Sequence, residues 1–243
     1  MIPKIIHYCW FGNGQLPELA LKCLDSWKKH LPVYEIKVWN EQNFDVDQYR
    51  FAAEAYKEKK FAFVSDVCRL YALKEMGGIY LDTDVEFLKP LDERLLNTAA
   101  FTGFEDNLLL SSAIMGSTRE GEWISDLLHH YQERSFYLDN GKLDVNPNTE
   151  IITAFMKDKK GVRIDNTLQQ LENYCVIYPS DYFCPKSWKT LEVNITSNTY
   201  CIHHFAGSWL HDSEQSFVGK LANFLLGKRI ADFWAEKYRK KKF

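Results

Sequence analysis

An α/β domain built on a mostly parallel sheet flanked by helices is the fold class that this chain of 243 residues predicts. Three observations lead there. Residues 4–39 read as strand, helix and strand; residues 61–85 read as a second helix delivering a strand; and the composition, 46% apolar and 26% charged, is that of an ordinary globular domain able to bury a sizeable core. One domain over residues 1–216 is expected, followed at 217–243 by an amphipathic helix and a basic tail.

Lys4 to Phe11 is an apolar run of strand length, and Gly12-Asn13-Gly14 breaks it with backbone that glycine adopts cheaply. Pro17 to His30 places Leu19, Cys23, Leu24 and Trp27 on one helical face. Tyr34 to Trp39 alternates as a half-exposed strand, and residues 41–60 form a polar, helical stretch with a solvated lysine face. The next helix has Ser65 as its expected N-cap, Val64, Val67, Cys68 and Tyr71 at helical spacing, and Gly77-Gly78 as its stop. Ile79 to Val85 is too short and β-branched for another helix, so a strand is expected with Tyr80, Asp82 and Asp84 sharing one face.

Two more strands are expected at Ala99 to Phe104 and Leu108 to Met115, then a helix from Glu122 to Arg134 whose His129 and His130 read as surface or capping residues. Residues 135–148 are rich in turn formers, a helix starts near Thr149, and Val176 to Trp188 is irregular and aromatic. A last strand from Thr199 to Phe205 ends in two histidines, only one of which can face the carboxylates if the strand alternates. Beyond it, Leu221, Phe224, Leu225, Ile230, Phe233 and Trp234 form an apolar stripe before a lysine-rich end, read as a solvated tail or a contact with anionic lipid.

A formal charge of -3 gives no electrostatic basis for nucleic-acid binding. The six cysteines lack a CxxC pair and read as reduced thiols of a cytoplasmic protein; no signal peptide or membrane-spanning run is legible. Aromatic residues reach 15%, which suggests stacking surfaces; Trp10 reads as core packing or as a platform for a base. GNGQLP lacks the third glycine of a dinucleotide fingerprint.

Carboxylates as close as Asp82 and Asp84 repel unless a cation lies between them, which points to a bound divalent ion, Mg²⁺ or Mn²⁺. An imidazole from the last strand suits Mn²⁺ as a third ligand.

SDVCRLYALKEMGGIYLDTD, with the opening IPKIIHYCWFG and the closing HHFAGSW, resembles three landmarks of glycosyltransferase family 32, over residues 2–209. That family is similar to the catalytic domains of the large clostridial glucosylating toxins and to capsular polysaccharide transferases. The resemblance implies a GT-A fold and transfer, with retention of configuration, of a hexose or N-acetylhexosamine from a nucleotide sugar. Trp10 would stack on the base, Ser65, Asp66 and Arg69 would contact nucleotide and ribose, and Tyr80 would lie by the diphosphate. Asp82 and Asp84 would be the two acids of the DXD motif and, with His204, chosen by its distance from Gly207 and Trp209, the metal ligands. Gly207, Ser208 and Trp209 would border the diphosphate, and Asn146 and Asn148, which replace the small residues usual there, would lie on the acceptor side.

The resemblance further implies a UDP-sugar donor and a glycan or lipid-linked glycan acceptor at the inner face of a membrane, in cell-surface polysaccharide synthesis. Two alternatives remain. Phosphatases and phosphomutases of the haloacid dehalogenase type also end a buried strand in DxD, where the first acid, here Asp82, is the nucleophile. A binding protein that holds a nucleotide sugar without transferring it is the other.

Overall fold

The computed structural model describes residues 1–105 and 109–207. The expected helix and tail at 217–243, with Ser208 and Trp209, lie outside the described residues.

The chain opens with β1 (Ile5–Cys9), α1 (Glu18–His30) and β2 (Glu35–Trp39), a right-sized βαβ unit whose strands pair in parallel. α1 carries Glu18 in its first turn and Lys28, Lys29 and His30 in its last, charges that suit the helix dipole, and buries Ala20, Cys23, Leu24 and Trp27. After a 3₁₀ turn at Val46–Gln48 come α2 (Arg50–Lys57) and α3 (Phe61–Met76). α3 begins four residues before Ser65, which therefore is no cap: its hydroxyl donates back to the Phe61 carbonyl at 3.0 Å from inside the helix. The apolar residues ahead of Ser65 pack well as helix, and that burial outweighs the capping preference.

Gly77 and Gly78, at φ 64° and 104°, turn the chain from α3 directly into β3 (Gly78–Leu81), every residue of which is buried. β4 (Val85–Phe87), the short α4 (Glu93–Leu96), β5 (Ala100–Glu105), β6 (Leu109–Leu110), β7 (Ile114–Ser117) and α5 (Glu122–His129) follow. The last described part holds α6 (Asn148–Lys160), β8 (Gln169–Leu171), β9 (Cys175–Tyr178), α7 (Ser180–Phe183) and β10 (Cys201–His203).

The main sheet has the order β2-β1-β3-β7-β5-β9-β8, with β6 paired to β5. The pairings make β2, β1, β3, β5 and β9 run one way and β7 and β8 the other, so the sheet is mostly parallel in direction. Strand side chains alternate between two cores. Cys9, Tyr80 and Phe104 join α2, α3, α5 and α6 on one face; Ile6, Tyr8, Ile79, Leu81 and Phe101 join α1, α4, α7 and β10 on the other. β4 and β10 stand apart as an antiparallel ribbon, so the last strand is not a member of the main sheet. Trp27 ties this ribbon to α1, donating from Nε1 to the Val85 carbonyl at 2.6 Å. All six cysteines are buried thiols, and no helix among the described residues is long and apolar enough to cross a membrane.

One consequence of the strand directions decides where chemistry can occur. β1, β3 and β5 release the chain at the same edge, which brings Trp10, Asp82 and Glu105 to one end of the sheet.

Candidate active site

The two aspartates sit on a turn, and the single long strand expected through them is not formed. β3 stops at Leu81, the Asp82 amide donates to the Ala113 carbonyl at 2.9 Å, and the Val85 amide donates back to the Asp82 carbonyl at 3.1 Å, reversing the chain through Thr83. The carboxylates are thus brought together by a reversal of the backbone, which a reading by strand alternation cannot foresee.

Each carboxylate has its own partners. Asp82 Oδ1 accepts from the Tyr80 hydroxyl at 2.8 Å and lies 3.3 Å from Arg69 Nη1. Arg69, 4% exposed, also pairs with Asp66 at 2.9 Å, donates to the carbonyls of Ser65 and Ser112, and lies over the Tyr80 ring at 4.5 Å. Burial raises the pKa of Asp66 to about 6 despite the guanidinium, and burial likewise raises that of Asp82. Arg69 and Tyr80 are therefore engaged with the acids. A cation was expected between the carboxylates, and Arg69 supplies one to Asp82.

Asp84 accepts from the Ala206 amide at 2.7 Å and lies 3.4 Å from His203 Nε2. Burial opposes its ionisation, but His203 and the backbone donors outweigh burial and bring its pKa down to about 2. His203 is correspondingly pushed well above its usual value: burial works against the charged ring, and Asp84, Cys184 and Glu105 more than offset it.

The histidine facing the acids is His203, and His204, the expected ligand, turns to Glu86 at 2.8 Å. β10 pairs His203 opposite Val85, and period two puts His204 on the other face, where Glu86 also projects and is held by Lys22 at 3.0 Å. Phe205, at φ 56°, then packs on His203 with ring centres 4.2 Å apart and the planes tilted by 42°. Counting back from the tryptophan fixed the distance along the chain but not the side of the strand.

The other expected residues are more dispersed. Trp10 is half-buried just beyond β1, its Nε1 donating to the Gly14 carbonyl at 2.6 Å. Asn148 opens α6, is buried, accepts from the Tyr131 hydroxyl at 3.1 Å and lies beside Asp66, whereas Asn146 is exposed and bound to Asp144 at 2.8 Å. Gly207 is left-handed at φ 61° and close in sequence to the Asp84 contact at Ala206. His129 bonds Gln132 at the surface and His130 lies beside Arg134, in keeping with surface roles.

Sequence reasoning passed over Glu105. It ends β5, is buried, and reaches His203 Nδ1 at 3.2 Å. Its signal was an acid closing the apolar run AFTGFE at the carboxyl end of a strand.

Ligand atoms of Asp82, Asp84 and His203 all lie within 4.8 Å of one another. Two carboxylates and an imidazole are a donor set for a hard or borderline divalent cation, so the residues fit such an ion.

A family model described as a glycosyltransferase sugar-binding region containing a DXD motif matches residues 17–102. The chain is 25% identical over 246 aligned positions to mannosyl phosphorylinositol ceramide synthase CSH1 of Saccharomyces cerevisiae, covering 96% of this chain and 59% of the relative. It is 28% identical over 139 positions to inositol phosphoceramide mannosyltransferase 3 of Schizosaccharomyces pombe, covering 56% of this chain and 38% of the relative. It thus spans less than two thirds of these relatives' length. Among solved structures, the PaToxG glycosyltransferase superposes with a TM-score of 0.50 at 20% identity, covering 66% of this chain and 71% of that one, a likeness of fold. The architecture is of the GT-A type, and residues 17–102 are similar to the glycosyltransferase sugar-binding region that contains a DXD motif.

Proposed function

We propose that the protein is a metal-dependent glycosyltransferase that moves a hexosyl group from a nucleotide sugar to a hydroxyl of a glycan or glycolipid. The observation that carries this reading is the convergence of Asp82, Asp84 and His203 at the carboxyl end of β3, inside the region matched by the family model.

Asp84 and His203 would hold the divalent ion directly. Asp82, with one oxygen taken by Tyr80 and Arg69, would offer its other oxygen. When bound, Mn²⁺ or Mg²⁺ supplies positive charge to the oxygens of the departing diphosphate, where negative charge develops. The chain's own part is to fix these acids before the donor arrives: Arg69 and Tyr80 hold Asp82, and the Ala206 amide holds Asp84. Trp10, half-buried at the same edge, would give the base a flat surface.

Among the described residues, the carboxylates in or beside this cluster each have a partner: Asp66 and Asp82 with Arg69, Asp84 with His203, Glu105 with Ser111 and Glu86 with Lys22. With these acids engaged, the reading favours attack from the leaving-group side, with retention. The bond from the anomeric carbon to the diphosphate oxygen breaks, the acceptor oxygen bonds to that carbon, and the acceptor's proton passes to the departing oxygen.

One relative is named a mannosyl phosphorylinositol ceramide synthase and another an inositol phosphoceramide mannosyltransferase, so GDP-mannose joins the UDP-hexoses as a candidate donor and a membrane glycolipid joins glycans as a candidate acceptor. The test is incubation with a panel of UDP- and GDP-sugars, with and without Mn²⁺. Release of a nucleoside diphosphate that depends on the ion supports the reading; release of inorganic phosphate, or none from any donor, overturns it.

A further inference from the structure

His203 is held from both sides of its ring. Nε2 lies 3.4 Å from Asp84 Oδ1, and Nδ1 lies 3.2 Å from Glu105 Oε1. The same Glu105 oxygen accepts from the Ser111 hydroxyl at 2.7 Å, and Ser111 Oγ accepts in turn from the Ala113 amide at 3.1 Å. The Glu105 side chain is only 10% exposed. A carboxylate so withdrawn from water is costly unless it is hydrogen-bonded, and here Oε1 meets both the imidazole and a serine that is itself anchored to backbone.

An imidazole can offer Nε2 to a cation only with its proton on Nδ1, and in water the ring passes freely between its two neutral forms. A fixed acceptor at Nδ1 removes that freedom and also stops the ring turning about its own axis. Phe205, packed at a tilt against the ring, and Cys184, whose sulfur falls with Glu105 and His203 in one cluster, flank it further.

We infer that Glu105 is a positioning residue for the metal centre: it accepts the Nδ1 proton of His203 and so aims the Nε2 lone pair at the cation site shared with Asp82 and Asp84, with Ser111 holding the carboxylate in place. The inference rests on the proposed metal-dependent function and concerns a residue that would touch neither ion nor sugar. It places the support on a different strand from the ligands: β5 backs a histidine from β10 that serves a turn after β3.

The experiment is Mn²⁺ titration of the full chain, without any nucleotide sugar, followed by calorimetry or by the paramagnetic resonance of the free ion, together with ¹⁵N spectra of the His203 ring. Glu105→Ala should weaken Mn²⁺ binding about 10–100-fold, the range typical of an outer-shell partner. Glu105→Gln, which keeps an acceptor without the charge, should recover part of the loss. With diamagnetic Mg²⁺ bound, the ring nitrogens should report a proton on Nδ1 and none on Nε2 in the parent, and a mixture of forms in Glu105→Ala. Asp84→Asn separates the two levels. A parent that binds no Mn²⁺ overturns the metal reading and this inference with it. A parent whose binding is lost in Asp84→Asn but is unchanged in Glu105→Ala, with the ring still protonated on Nδ1, overturns this inference alone. Should Glu105→Ala not fold, unchanged binding and an unchanged ring in Glu105→Gln decide against it.

Discussion

Arg69 Nη1 stands 3.3 Å from Asp82 Oδ1, at the centre of a buried network that also holds Asp66 and the ring of Tyr80. Removing the guanidinium leaves the buried Asp66 and the half-buried Asp82 without the cation paired to both. Arg69→Ala should therefore destabilise the protein by about 3–5 kcal/mol, the usual cost of breaking a buried ion pair from one side. Denaturant unfolding of parent and variant measures it, and a loss below about 1 kcal/mol would show that water replaces the cation.

The two histidines give opposite expectations. His203→Ala should reduce sugar transfer about 100-fold or more, as removal of a group acting on developing charge does elsewhere. His204→Ala should leave most activity, since its ring meets Glu86, itself held by Lys22, on the other face of the ribbon. Transfer rates of the two variants at saturating donor are the check, and the reverse ranking would restore His204 as the ligand.

Asp84→Asn keeps the size of the side chain and an acceptor for the Ala206 amide but loses the charge. Transfer should fall about 100-fold or more while the circular dichroism spectrum is retained. Wild-type turnover in this variant would remove Asp84 from the chemistry.

His7 is buried in β1, donating from Nε2 to the Gly77 carbonyl at 2.7 Å and accepting at Nδ1 from Trp39 Nε1 at 3.0 Å. Burial lowers its pKa from 6.5 to about 4. Between those values the unfolded chain binds a proton that the folded one refuses, so stability is full above pH 6.5 and declines as the pH falls toward 4. The loss from this one residue is about 3 kcal/mol at most, at 1.36 kcal/mol for each unit. His7→Gln should flatten the decline, seen in denaturant midpoints from pH 7 to pH 4; parallel curves would rule the histidine out as its source.

Gly78, at φ 104°, begins β3 between β1 and β7, and a Cβ there would lie 2.6 Å from the Ile5 carbonyl oxygen. Gly78→Ala should cost about 1–3 kcal/mol through overpacking, with the left-handed backbone adding to it. A thermal midpoint within a degree of the parent would contradict this.

The opening βαβ unit, the helix that ends at Gly77 and the mostly parallel sheet were legible because their signals are local: helical spacing, alternation and the glycines that stop α3. Strands β8 and β9 were missed because three- and four-residue strands among polar and aromatic residues carry too little periodicity to register. At the site, the residue types were legible and their arrangement was not. The acids meet through a turn, Arg69 looks inward to them, and Glu105 arrives from a strand whose partner at the site, His203, belongs to a separate ribbon. Those relations depend on contacts between distant parts of the chain, which no local window contains.

The pairing of Val85 with His203 also orders events in time. During synthesis the aspartate turn emerges well before the imidazole that completes it, and the chain between them must first be collapsed into the main sheet, since bridging so wide a separation early is entropically unfavourable. Among the described strands, the β4–β10 ribbon is therefore the last to form. Pulse-labelled hydrogen exchange during refolding should protect the amides of β1 and β3 before those of the β4–β10 ribbon.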